Sequence, residues 1–324
     1  MSAPDPRALT ALARSRAYAL LADLHGRGLR AETVPAWLEV EGGILSPAQT
    51  IDLDATEEAW TRLYLLELPA IAGAFLSPDG LVGGEAAADV RALRAAAGLA
   101  DPVGMEVEHL SATLGLLAFL CGAEADARRD GVVADRLVAL QHEVLAGQLL
   151  RWLPSWVAAL RGVCGPGPTP PADATYLAGA ELTLALAVDH SVGAPTPGDW
   201  LPAPVSVLDE PGTGLRRIAE HLVLPSQAGG YLSRGVILRV ARSLELPATF
   251  GDRADLLEGL LCAAAQYTLV PKLALALDTV WAGWDAALAA EPEWAVRPWR
   301  RRIVHTRSLL RRLEMSPQQA TFPK

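Results

Sequence analysis

Apolar residues recur with helical spacing in almost every segment of the chain that is long enough to show a pattern. No convincing run of alternating apolar and polar residues, the pattern that predicts a strand, is present in the sequence. Proline and glycine divide the helical segments, beginning with an Asp5-Pro6 start and a Gly28 stop. The sequence therefore predicts an all-α fold, a bundle of about seven to eight helices with an additional C-terminal helical module.

The segment from His109 to Cys121 is apolar on every side, where a surface helix would be apolar on one stripe only. A helix of that kind is normally the buried centre of a bundle. Trp152 and Trp156, one helical turn apart, also predict core packing. The large apolar residues of the central segment are Leu110, Leu114, Leu116, Leu117, Phe119 and Leu120.

A stretch rich in proline and glycine, 191–214, interrupts the helical pattern and predicts a linker. It separates a helical domain over 1–190 from a helical extension over 215–324. The extension has abundant apolar side chains of its own, so we expect a separable module that folds back on the first domain. Residues 1–190 carry 24 acidic and 13 basic side chains, which would attract the basic last helix. Its arginines are Arg300, Arg301, Arg302, Arg307, Arg311 and Arg312.

Composition narrows the class of protein. Of the 324 residues, 51% are apolar, which is ample for a core and excludes a largely disordered chain. The uncharged apolar stretches Leu110–Ala123 and Gly259–Pro271 are shorter than the ~18–20 residues that span a bilayer, so no membrane insertion is expected. The first residues lack a signal-peptide pattern, which predicts a cytoplasmic protein. A net charge of −9 argues against nucleic-acid binding.

Familiar catalytic motifs are missing from the sequence, including the phosphate-binding loop, the dinucleotide-binding glycine motif and the nucleophile elbow. One metal-like spacing remains, because Glu106 and His109 would share one face of a helix. Di-iron bundles need this motif twice, and the sequence has it once. A helical metal- or cofactor-binding protein or enzyme that uses Glu106 and His109 is therefore the alternative function, whereas the leading interpretation has no cofactor.

Six short motifs in the first 190 residues stand in an order that carries a family resemblance. The most telling begins the central helix at Met105-Glu106-Val107-Glu108-His109-Leu110. Its last two residues match a family motif E-P-x-D-H-L, Glu108 replaces the aspartate, and the leading glutamate and the proline are missing. The other motifs are Arg14–Ala22, Trp60–Leu65, Ala74–Gly80, Trp152–Trp156 and Tyr176. Together they resemble the TorD/DmsD/NarJ family of redox-enzyme maturation chaperones.

The resemblance implies a helical chaperone without enzymatic activity or cofactor. Such proteins bind a molybdenum- or tungsten-cofactor oxidoreductase, either as the apo catalytic subunit or through its twin-arginine signal peptide, until the cofactor is inserted. The resemblance leaves a homodimer open. The residues that we expect to bind the client or its signal peptide are Tyr18, Leu21, Trp60, Tyr64, Phe75, Ser77, Glu108 and His109.

The charge pattern fits a client of this kind. Residues 51–150 contain 16 acidic and 6 basic side chains, and carboxylates are the natural partners of guanidinium groups. An apolar groove would bind the remainder of the segment. At the start of the central helix, Glu108 is expected to accept from a client arginine, and His109 to donate to a carbonyl across the preceding loop.

The first helix presents two apolar faces. One is formed by Leu9, Leu12, Ala13, Leu20 and Leu24. Tyr18 lies roughly opposite, with Leu21 between the two faces. The first face is expected to be buried in the bundle, and the second to contact either the central helix or a client.

Overall fold

The computed structural model describes residues 5–40, 43–45, 51–165, 167–195, 198–201, 203–247 and 249–315. Within these ranges the chain forms fifteen α-helices and no β-strand, which confirms the predicted all-α class and helical bundle. Parts of the predicted domains and linker, such as residues 1–4, 196, 197, 202 and 316–324, lie outside the described residues.

Nine helices precede residue 191 in the described part of the chain, and seven of them have eight or more residues. They are α1 (Pro6–Arg27), α2 (Val34–Leu38), α3 (Leu53–Trp60), α4 (Gly73–Leu76), α5 (Gly84–Ala96), α6 (Leu110–Arg129), α7 (Asp135–Gly147), α8 (Leu153–Cys164) and α9 (Pro171–His190). The short helices α2 and α4 are not predicted, because so few residues show no period. α3 continues directly as a π-helix over Thr61–Glu67, which ends before Pro69 as the sequence predicts.

Six helices form the described part of the extension. They are α10 (Leu215–Val223), α11 (Pro225–Ala228), α12 (Arg234–Ser243), α13 (Arg253–Gln266), α14 (Val270–Leu288) and α15 (Glu293–Met315). α13 begins with a capping box in which Asp252 and Asp255 bond each other's backbone N–H groups, so its start is determined locally.

The central helix α6 is buried, as its all-round apolar pattern predicts. Its leucines are at most 1% exposed, and Phe119, at 45%, is the exception. Among the described residues, α6 is the one helix long and apolar enough to cross a membrane, and 61% of that apolar window is buried inside the protein. The core helix of a bundle meets the same criteria, so its composition is explained by packing.

α1 packs closely along α6 in the opposite direction. The Ser15 hydroxyl donates to the Ala118 carbonyl (2.7 Å) near one end, and the Ser111 hydroxyl donates to the Ala22 carbonyl (2.6 Å) near the other. The buried face of α1 contains Ala11, Tyr18, Leu21, Leu24 and His25. The expectation that the Leu9–Leu12 face is buried is wrong, because these two leucines are 53% and 37% exposed. Small residues at the contact with α6 decide the orientation of α1. A search for periodic apolar residues does not take such small residues into account.

The extension folds back on the first domain and shares one continuous core with it. The indole N–H of Trp299 on α15 donates to the Arg151 carbonyl (2.7 Å). On α14, Trp284 packs so tightly against Gly162 of α8 that a Cβ at Gly162 would lie 3.0 Å from the indole nitrogen. Buried side chains of both parts belong to one core, so no break in the core marks a boundary. Whether residues 215–324 form a separable module stays a prediction.

Four arginines of α15 form ion pairs with carboxylates outside the acidic domain over 1–190, which the sequence-based expectation did not foresee. Arg300 pairs with Asp285 and Arg307 with Asp278, both on α14 (2.8 Å each). Arg301 and Arg312 pair with Asp199 and Asp209 of the linker (2.6 Å each). Net domain charge is a long-range quantity, whereas these pairs form with the nearest carboxylates. Their effect is to bind the linker and α14 to α15.

A buried histidine on α1 links three elements. His25 accepts at Nδ1 from the Tyr64 hydroxyl (2.8 Å). Its Nε2–H donates to the Thr183 hydroxyl (2.8 Å), because that hydroxyl itself donates to the Gly179 carbonyl. Burial lowers the pKa of His25 to about 3, so the side chain is neutral in the folded protein.

A second buried histidine continues the connection between α1 and α9. The Tyr18 hydroxyl donates to Nδ1 of His190 (3.0 Å), and Nε2–H of His190 donates to the Gln141 side chain (2.9 Å). Burial lowers the pKa of His190 to about 3 and raises that of Tyr18. Both groups are therefore neutral over the physiological range.

These histidines predict acid lability. Below pH ~6.5 the unfolded chain protonates its histidines, whereas folded His25 and His190 stay neutral down to about 3, so the free energy of unfolding falls as the pH drops between these values. The expected slope is at most roughly 1.4 kcal/mol per pH unit for each histidine. Chemical denaturation from pH 7 to 4 should show a shallower slope for His190→Gln than for the matched variant His142→Gln, whose histidine is only half-buried. Equal slopes would contradict this origin.

Candidate functional site

The loop over 70–84, between the π-helix and α5, is shaped by one buried carboxylate. Glu108, which is fully buried, accepts at Oε2 from the Gly73 N–H (2.8 Å) and at Oε1 from the Gly83 N–H. Burial raises the pKa of Glu108, and the two backbone donors oppose that shift. A Cβ at Gly73 would lie 2.9 Å from Oε2, so only glycine fits there. In this conformation the partners of the Glu108 carboxylate are these two backbone N–H groups, and its expected contact with a client arginine stays a prediction.

His109 caps the central helix and does not donate across the loop. Its Nδ1 accepts from the Ser111 N–H (3.1 Å), and burial lowers the pKa of the imidazole to about 4. The loop is instead joined to this point by backbone bonds, from the Leu110 N–H to the Ala70 carbonyl (2.8 Å) and from the Ala72 N–H to the Glu108 carbonyl (3.2 Å).

The metal-like spacing does not form a metal-binding geometry. Glu106 is exposed in the turn before α6, so Glu106 and His109 do not share a helix face, and Nδ1 of His109 is engaged as a cap. Within the part of the chain that the structure describes, no group of three or more His, Cys, Asp or Glu residues could hold a metal ion. The alternative function therefore loses the arrangement on which it depended.

Trp60 and Tyr64 lie in an aromatic cluster beneath the α3–π-helix segment. Their rings stack at 6.4 Å, and Tyr64 also contacts Trp156 (5.6 Å) and Tyr176 (5.7 Å) edge-on. Tyr64 is buried, whereas Trp60 is half-buried and donates its indole N–H to the His25 carbonyl (3.3 Å). The cluster fixes the orientation of this segment on the bundle.

Phe75 and Ser77 lie under the extension. The Phe75 ring is fully buried, stacked on Tyr231 (5.4 Å) and in contact with Trp299 (6.4 Å). The Ser77 carbonyl accepts from the Ser226 hydroxyl (2.8 Å). The extension thus covers the face of the loop that the resemblance assigns to the client.

The predicted site residues consequently form three separate groups. Tyr18 and Leu21 lie at the buried contact of α1, Trp60 and Tyr64 beneath the π-helix, and the remaining four at the loop. Five of the eight are buried, namely Tyr18, Leu21, Tyr64, Phe75 and Glu108. Direct contact of these residues with a client stays a prediction, and in this conformation they support the surface from below.

Residues 30–158, which contain the π-helix, the loop and Glu108, match the family model described as nitrate reductase delta subunit. This segment is therefore similar to the NarJ/TorD-type chaperones. The members of that family are chaperones of redox-enzyme maturation that work with molybdoenzyme catalytic subunits. No curated protein and no solved structure matches the chain. The resemblance seen in the motifs is confirmed, and the extension lies outside the matched segment.

The surface that the protein presents beside the loop was not predicted residue by residue. On the outer face of α3 and the π-helix, exposed carboxylates are followed by exposed leucines, and Leu65 and Leu66 are 61% and 66% exposed. Arg62 in the same segment is paired with Asp173 on α9. We call the set Asp54, Glu57, Glu58, Leu65 and Leu66 the α3 strip. The i, i+3, i+4 spacing of its acids can be read from the sequence. The exposure of the leucines on the same outer face cannot.

Proposed function

We propose that this protein binds the catalytic subunit of a molybdenum- or tungsten-cofactor oxidoreductase before cofactor insertion, through an N-terminal segment with paired arginines followed by apolar residues. It acts as a cytoplasmic chaperone and not as an enzyme. The α3 strip carries the proposal, because acidic and apolar side chains follow one another there in the order that such a segment requires.

The chemistry of the strip matches both parts of the client segment. Asp54, Glu57 and Glu58 are exposed and can each accept two hydrogen bonds from a guanidinium group. Leu65 and Leu66 lie two helical turns further on, where an apolar continuation would cover them. Two adjoining exposed leucines form an apolar patch that a partner can cover.

The surrounding elements hold the strip in place without contacting the client directly. The Trp60–Tyr64 stack sets the position of the π-helix. The hydrogen bonds that Glu108 accepts from backbone N–H groups set the shape of the loop that follows it. The π-helix itself widens the turn that carries the leucines, a deviation often found at functional sites. Holding an apo-subunit until its cofactor is inserted must precede any export, which supports a cytoplasmic location.

Neutralising the strip acids tests the proposal. We expect the triple change Asp54→Asn, Glu57→Gln and Glu58→Gln to weaken a peptide with paired arginines by about tenfold, since three exposed pairs contribute roughly 0.5 kcal/mol each. The affinity of the unaltered protein should also fall as salt is raised from ~0.1 M to ~1 M. Fluorescence anisotropy with a labelled peptide measures both effects.

The matched control neutralises three other exposed acids of the same region, Asp130, Asp135 and Glu143, with the same change in net charge. An equal loss in both triple variants would mean that overall charge, and not the strip, attracts the peptide. Full affinity in the strip variant would place the client on another surface.

A further inference from the structure

An apolar groove of about 660 Å³ lies between α8 of the first domain and α12 and α14 of the extension. Its lining includes Ala158, Gly162, Val236, Val240, Val280 and Trp284. A volume of this size accommodates several apolar side chains. The groove exists only because the extension folds back on α8, so the matched family segment by itself would not contain it.

The groove lies beside the apolar end of the α3 strip. Glu67, the last residue of the π-helix and the neighbour of Leu66, accepts at Oε2 from the Gly235 N–H at the start of α12 (2.7 Å). One helical turn further along α12, Arg239 lines the groove. Burial lowers the pKa of Arg239, and the nearby Glu67 carboxylate opposes that shift. Strip and groove are therefore adjoining parts of one surface.

Charge gives this surface a direction. The edge of the groove carries Arg161, paired with Glu181 (2.8 Å), and Arg239, which donates to the Val163 carbonyl (3.1 Å). Glu181 and Glu67 offset the charges of these two arginines, so this edge has no excess of acid to attract the arginines of a client. The exposed acids at the far end of the strip do attract them. A segment with arginines at one end and apolar residues at the other is therefore expected to lie with its arginines on the strip acids and its apolar end towards the groove.

We propose that the groove between α8, α12 and α14 binds the apolar continuation of the client segment whose arginines lie on the α3 strip. This inference rests on the proposed function and gives the extension a part in it, since two of the three walls come from the extension. At a helical rise of ~1.5 Å, the distance from Asp54 to Glu67 is roughly 20 Å, which an extended peptide spans in about six residues. Residues further along the peptide reach the groove.

Gly283 offers a test that leaves the fold intact. It lines the groove inside α14, and a Cβ built there meets no atom within 4 Å. Gly283→Phe fills the groove, whereas Gly283→Ala also replaces glycine by a better helix former and leaves the groove open. Two labelled synthetic peptides serve as probes, with two arginines followed by either about four or about fourteen leucine and alanine residues, the longer of which reaches the groove.

The longer peptide should bind the unaltered full-length protein at least ~10-fold more tightly than the shorter one, the gain expected from burying one or two apolar side chains. Gly283→Phe should abolish most of that gain, Gly283→Ala should retain it, and the shorter peptide should bind all three proteins equally. Equal binding of the longer peptide to both variants overturns the inference, as does a loss of the shorter peptide in Gly283→Phe.

The strip variant separates the two proposals. If neutralising Asp54, Glu57 and Glu58 weakens both peptides while Gly283→Phe weakens neither, the proposed function stands and the groove assignment fails. If Gly283→Phe weakens the longer peptide while the strip variant binds both normally, the groove stands and the strip assignment fails.

Discussion

Truncation after residue 195 is expected to yield an insoluble or loosely packed fragment in place of a folded chaperone domain. The truncation removes Tyr231 and Trp299 from the fully buried Phe75, and Trp284 from Gly162. A large apolar surface would face water, and the core that remains would lose its packing. Loss of a cooperative thermal transition and strong binding of an apolar dye are the expected readouts.

A single substitution reports the same contact in the full-length chain. Trp299→Ala removes the ring beside Phe75 and the donor to the Arg151 carbonyl, and should lower the free energy of unfolding by about 3–5 kcal/mol. Tyr267→Ala, at a 56% exposed aromatic residue of the extension, is the matched control and should change it by less than about 0.5 kcal/mol. A soluble fragment over 1–195 with a cooperative transition would instead establish an independent domain and support the boundary predicted from the linker.

Glu108→Ala is expected to destabilise the protein by about 3 kcal/mol and to loosen the loop over 70–84. The change leaves the buried N–H of Gly73 and the half-buried N–H of Gly83 without their acceptor, and a buried unsatisfied donor costs roughly 1–3 kcal/mol. Hydrogen exchange at these two amides should accelerate together. Chemical denaturation and exchange detected by mass spectrometry measure the two effects.

Glu106→Ala is the control for this experiment, since Glu106 is an exposed carboxylate two residues earlier, and its stability should change by less than about 0.5 kcal/mol. The motif alone predicts that Glu108 and His109 serve client capture, so that their loss would leave the fold nearly intact. The buried geometry predicts a loss of stability. If the stability and the amide hydrogen exchange are unchanged in Glu108→Ala, the carboxylate does not hold the loop in place.

Helix positions could be predicted from the sequence because their signals are local. Asp5 accepts from the Arg7 N–H and Pro6 occupies the first turn of α1, as the Asp5-Pro6 start predicts. The all-round apolar pattern of α6 predicts its burial for an equally local reason, since no face of such a helix can remain in water.

The orientation of each helix and the contacts between helices could not be predicted in the same way. Leu9 and Leu12 are more apolar than Ser15 and Ala22, but the small residues allow α1 and α6 to approach, and the leucines stay outside. The arginines of α15 follow the same logic, because the partner of Arg307 is the carboxylate that packing brings nearest, Asp278, and not the domain with the largest net charge.

The sequence by itself determined the helical class, the positions of most helices and the family resemblance, because capping residues, apolar periods and short motifs act within a few residues of one another. Only the tertiary structure decided which surface is available. Phe75 and Glu108 lie in the motifs that carry the family resemblance but are buried, Phe75 against Tyr231 of the extension and Glu108 against the loop that contains Gly73. Leu65 and Leu66 carry no motif, yet they are exposed. The partners that bury Phe75 and Glu108 lie from 25 residues away, for Gly83 and Glu108, to more than a hundred, for Phe75 and Tyr231, and no local pattern encodes such contacts.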